Sequence, residues 1–237
     1  MMRQHLNKTV IRELYKEWLK WSIWLFAIII ILRVLHWIGD YFGEVEPAID
    51  HFMYFMNESS PIFMLVVGIM MVFTFLRYYT EHGLTRRTYF IGGAIASLMI
   101  TITIGVISML LPVIEGIVLS LFGIHYPEHL QFHSFGYWIS YFLLFIITSW
   151  LYYIIGWFIG HVFYRYNWWK GIFASFFGFV LVMLENVING ETVTVYGVHF
   201  EGLSLSIFTS IIILLLLSAG MLVINYRLVK DIQVKMK

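Results

Sequence analysis

The sequence predicts an all-α integral membrane protein: an N-terminal interfacial amphipathic helix, then six transmembrane helices, with both termini in the cytoplasm. Three observations carry that prediction. Of the 237 residues 60% are hydrophobic and only 12% charged, about half the roughly 25% charged of an ordinary soluble domain. Six apolar runs are long enough to cross a bilayer as helices. The basic residues gather in alternate connections between those runs. Little length is left for a soluble domain of typical size, so residues 1–237 are read as one transmembrane domain. Zero cysteines exclude disulfides and thiolate metal sites.

The first element covers residues 8–20. Val10, Ile11, Leu14, Tyr15, Trp18 and Leu19 recur at helical spacing, with Arg12, Glu13, Lys16, Glu17 and Lys20 on the other face. Its tryptophans and basic face suit lipid headgroups, so the helix is expected to lie in the membrane interface. No small-residue cleavage site follows the apolar run, so a secretory signal is not expected. The spans are expected at residues 21–38, 61–79, 90–112, 137–164, 171–188 and 205–226. Pro47, Pro61, Pro112 and Pro127 all fall toward one side, where breaking a helix costs least. Gly92 with Ala96, Gly93 with Ser97, Gly156 with Gly160, and Gly171 with Ala174 and Gly178 have the spacing that lets helices approach closely within one chain. Trp18, Trp21, Trp37, Trp138, Trp168 and Trp169 fall where an aromatic belt would lie.

Charge sets the orientation. Arg3, Lys8, Arg12, Lys16 and Lys20 precede the first span, and Arg77, Arg86 and Arg87 separate the second from the third. Arg165 and Lys170 separate the fourth from the fifth, while Arg227, Lys230, Lys235 and Lys237 follow the sixth. Of the fifteen basic residues only Arg33 falls elsewhere. The positive-inside rule makes that side cytoplasmic and the chain a multi-pass protein of the cell membrane. The opposite connections hold acids and histidines instead, among them Asp40, Glu58, Glu115, Glu191, His125, His129 and His133.

Two charges interrupt the spans. Arg33 lies twelve residues past Trp21, about 18 Å along a helix. From there it can snorkel to the headgroups, or pair with Asp40 or another acidic group in a polar pathway. Glu185 lies near the end of the fifth span, where a wet position at the interface is expected over a buried relay.

Catalytic motifs are missing. There is no Gly-rich phosphate loop with its Lys, hence no ATPase site in this chain, and no Gly-x-Ser-x-Gly elbow. His129 and His133 are spaced for one helix face, but Leu130 stands where a zinc protease needs glutamate, and Pro127 unsettles a helix there. A wet loop is the expected reading, and no metal, cofactor or nucleic acid is expected on this chain.

Residues 77–90 form a charged island between two charge-free runs, 62–76 and 90–114. Gly83 suits a left-handed turn and Thr85 a cap for a helix starting at Arg86, which predicts helix, turn, helix. Arg77, Arg86 and Arg87 suit headgroup anchoring, and fixing topology is the plainer role for them. Gly83, Thr85, Arg86, Arg87, Tyr89 and Phe90 match the stretch G-x-[ST]-R-[RK]-x-[FY]-[FY] of small bacterial permeases. With the amphipathic helix, the spans and the basic tail, the chain resembles the type-2 exporter permeases of ATP-binding cassette (ABC) transporters. The resemblance implies two permease subunits, identical or homologous, forming the pore, with separate cassette ATPase subunits binding ATP and Mg. It further implies that residues 8–20 are an elbow helix and that Tyr78, Tyr79, Thr80, Glu81, His82, Gly83 and Leu84 form the coupling helix, with Glu81 and His82 as docking contacts. The family often places short re-entrant helices before its last span; residues 189–202, polar and rich in Thr and Val, depart from that. Amphipathic peptides, drugs and lipids are the substrates compatible with the apolar, aromatic spans. A non-transporting membrane accessory or sensory protein is the alternative, and an outer-face membrane enzyme the third.

Overall fold

The computed structural model describes residues 2–42, 52–121, 135–195, 198–230 and 232. It consists of α1 (Met2–Tyr41), α2 (Phe52–Met70), a π-helical stretch (Met71–Leu76), α3 (Arg77–Glu81) and α4 (Arg86–Leu121). These are followed by α5 (Phe135–Arg165), α6 (Trp168–Ile188), a hairpin of β1 (Val193–Val195) and β2 (Val198–Phe200), and α7 (Ile207–Lys230). Among the described residues six helical runs are long and apolar enough to cross a membrane, one at each expected place. The chain is thus built as a multi-pass membrane protein.

Helix α5 is the axis of the bundle, because it carries the small residues. A Cβ at Gly156 would stand 2.0 Å from the Leu65 carbonyl oxygen, and one at Gly68 would stand 2.2 Å from that of Tyr153. Only glycine lets α2 and α5 meet backbone to backbone. Around that seam Trp18, Tyr89, Tyr153 and Trp157 are fully buried, with Trp157 stacked 4.9 Å from Phe90 and Trp18 5.6 Å from Tyr153. Trp18 therefore packs in the core and not in the expected belt. Trp168 and Trp169, at the start of α6, remain exposed.

The N-terminal segment departs from expectation. One unbroken helix of 40 residues replaces a separate interfacial helix and span, about 60 Å long at 1.5 Å per residue. It runs parallel to α4: Val10 lies on Gly92, the Tyr15 hydroxyl is 3.0 Å from that of Thr103, and Arg33 meets Glu115. Val10, Leu14 and Trp18, the apolar stripe of residues 8–20, are buried. That stripe is covered by protein, so it needs no lipid headgroups to cover it.

One further expectation is corrected. Pro61 and Pro112 sit inside α2 and α4, which continue past them although each proline removes one helical N–H and crowds the carbonyl four residues back. Between α6 and α7 the described chain forms a two-stranded antiparallel hairpin, Val193 opposite Phe200 and Val195 opposite Val198. The β-branched composition of this segment explains the strands, in keeping with the departure from re-entrant helices expected of residues 189–202.

Candidate functional site

The turn at residues 77–90 is organised by its own backbone. The Leu84 N–H reaches the Tyr79 carbonyl at 3.0 Å and the Gly83 N–H that of Thr80 at 3.1 Å. Gly83 has φ +74°. This is a Schellman termination of α3, and it places Leu84 back against the core beside Tyr79. Thr85 then caps α4: its hydroxyl accepts the Thr88 N–H at 3.2 Å. The expected helix, turn, helix is therefore present, with Gly83 and Thr85 in the expected roles.

The turn is held from three sides. The Tyr89 hydroxyl donates to the Met71 carbonyl at 3.0 Å, at the start of the π-helical stretch, and accepts the Trp157 indole N–H at 3.2 Å. Arg86 Nη1 donates to the Lys230 carbonyl at 2.9 Å and Arg165 Nη1 to that of Leu228 at 3.2 Å. Both guanidinium groups thus face the end of α7, where its carbonyls lack helical partners. Arg86 is engaged with the chain itself, whereas Arg87 is exposed.

Facing outward are Tyr78, Glu81 and His82, with Gly83. Arg77 Nε donates to Glu81 Oε1 at 2.6 Å on the exposed side of α3, where water screens the pair and it adds little to stability. The His82 ring lies 4.4 Å from that of Tyr78, and its Nδ1 is 2.7 Å from the Tyr78 carbonyl. Thr80 turns its hydroxyl onto the Leu76 carbonyl at 2.8 Å. Of the seven residues expected in a coupling element, Tyr79 and Leu84 thus hold the turn while Tyr78, Glu81 and His82 stand exposed on its outer side.

Arg33 and Glu185 occupy separate places, each in protein. Arg33 does not snorkel: its Nε donates to Glu115 Oε1 at 2.7 Å, with the guanidinium 5.4 Å from the Phe55 ring centroid. The side chains are 8% and 12% exposed. Glu185, expected to be wet, is 1% exposed. Helix α5 covers it: Thr148 Oγ1 donates to Oε1 at 2.9 Å and the Tyr152 hydroxyl to Oε2 at 3.3 Å, while Asn189 Nδ2 donates to Oε1. Just beyond α6, loss of solvent and then the charge of Glu58 hold the Glu191 carboxyl above its usual range.

A third polar pair has no counterpart in the sequence reading. His161 on α5, fully buried, has Nδ1 2.9 Å from Asn225 Oδ1 on α7, and Asn225 Nδ2 donates to the Ile154 carbonyl at 3.0 Å. Each is the amide or imidazole of a span whose other polar side chains are mostly small hydroxyls or tyrosines, which is the signal that marks them. His125, His129, His133 and Glu128 lie outside the described residues, and so does the side chain of Asp40. Among the described residues no group of three His, Asp or Glu is placed to hold a metal.

Compared with protein-family models, curated proteins and solved structures, the chain matches none.

Proposed function

We propose that this chain is the transmembrane permease subunit of a type-2 ABC exporter. It works as a dimer of permeases, with separate cassette ATPase subunits supplying ATP hydrolysis. The observation that carries the reading is the turn at residues 77–90. Its outward side chains, Tyr78, Glu81 and His82, sit on a Schellman turn whose buried side is tied to the π-helical stretch, α4 and α5. Such a turn cannot absorb a push by bending, because packed helices move as units. A force on Glu81 and His82 passes to α2 through the π-helical stretch and to α4 through Tyr89. The α2–α5 seam carries it into the bundle.

In this reading the Arg86 turn and the end of α7 face the cytoplasm of a bacterial cell, as does the start of α1, following the positive-inside rule. The N-terminal part of α1 takes the elbow's place, packed along α4. ATP and Mg belong to the partner. An amphipathic peptide, drug or lipid is the substrate class that suits an apolar, aromatic bundle.

The test asks whether the gene beside this chain's encodes a cassette ATPase and, where it does, expresses the two together. Co-expression should yield a complex that survives detergent extraction, with ATP hydrolysis stimulated by the permease. Glu81→Ala with His82→Ala should abolish that stimulation while the variant still folds and inserts. A chain that purifies alone and stimulates no ATPase, or a double variant with normal coupling, sinks the reading.

A further inference from the structure

We propose that Glu185 is a proton-binding site reached from the acidic end of the bundle, and that its charge state sets how the segment after α6 is held. A carboxylate inside an apolar bundle is costly unless a cation or several donors offset it. Among the described residues no Lys, Arg or His forms an ion pair with Glu185. The ionised form rests on neutral donors alone, the Thr148 and Tyr152 hydroxyls and the Asn189 amide.

A partner for the neutral form is already in place. Asn189 Oδ1 is buried and has no hydrogen-bond partner. A half-turn of that amide exchanges its oxygen and nitrogen. Once Glu185 carries a proton, its O–H can donate to Asn189 Oδ1, so the same amide serves the ionised carboxylate as a donor and the protonated one as an acceptor. Only a proton moves: hydronium gives it to the carboxylate and leaves as water.

Two acids stand near the site. Glu58 from α2 and Glu191 from beyond Gly190 both bear electrostatically on Tyr152, whose hydroxyl touches Glu185. From α7 the nearest polar contribution is neutral, Ser210 bonded to the Ile188 carbonyl at 2.9 Å. Downstream, the amide that turns belongs to the residue ending α6. Its neighbour Gly190 has φ +88° and packs against the backbone of Gly202, and the Leu203 N–H is held by the Val187 carbonyl at 2.8 Å. Rotation of Asn189 is therefore felt where the hairpin is fastened to α6.

Infrared difference spectra of the purified protein between pH about 5 and about 9 test this directly. Acidification should bring up protonated-carboxyl absorption of which one component is lost in Glu185→Gln, kept in Glu191→Gln, and unmoved by exchange of sodium for potassium. Thr148→Val takes a donor from the ionised form, so the midpoint of the band should rise by about one pH unit. That shift serves as the readout if the glutamine variant does not fold. Absence of a band dependent on Glu185, a midpoint indifferent to Thr148→Val, or a response that follows sodium instead of pH would overturn the assignment.

Discussion

At the scale of single residues, the Arg33–Glu115 pair joins α1 to α4 where both helices are otherwise apolar. An ion pair removed from water gains little net stability over a well-packed apolar pair, but breaking it leaves a charge stranded. Arg33→Met should therefore lower the unfolding free energy in mixed detergent by about 3 kcal/mol. Arg33→Met with Glu115→Leu should recover most of that loss. Equal losses in the single and double variants would show that the pair is not coupled. The sequence marked Arg33 as the lone misplaced cation and offered an acidic partner. Which acid it takes was not legible, because Glu115 is 82 positions away. Gly83 and Thr85 were legible because a helix stop and a cap are decided within five residues of backbone.

At the scale of elements, the α2–α5 seam is the most exacting contact in the molecule. Gly156→Ala would drive a methyl group into the Leu65 carbonyl, and overpacking of this kind costs about 2 kcal/mol. Gly220→Ala, on α7 with open space around it, should instead be neutral or stabilising by up to about 1 kcal/mol, as helix propensity alone dictates. Thermal unfolding of the two variants checks the contrast, which vanishes if the seam is loose. Periodicity located Gly156 and Gly160 as a packing face, yet the partner helix came from the fold. The same limit explains α1. Residues 8–20 have the stripe of an interfacial helix, but nothing between Lys20 and Trp21 breaks a helix, and whether lipid or protein covers a stripe is not a local property.

At the scale of the whole molecule, the Arg86 turn and the end of α7 form one basic end, joined through Arg86 and Lys230, with Glu58, Glu185 and Glu191 toward the other. Because the chain has no cysteine, single cysteines report sidedness without background. In intact cells a membrane-impermeant thiol reagent should label Glu191→Cys and spare Glu81→Cys, and inverted vesicles should reverse the pattern. Labelling of both from one side would refute the orientation read from charge.

By itself the sequence determined the class, the number and places of the six apolar helices, and the turn at Gly83 and Thr85, since hydropathy, charge and capping act over one or two helical turns. Tertiary structure alone decided that α1 runs on without an interfacial break and lies along α4, that Trp18 is core, and that Arg33 faces Glu115. It also buried Glu185 under Thr148 and Tyr152. These outcomes depend on which helices meet, and that choice is made where glycine lets two backbones touch.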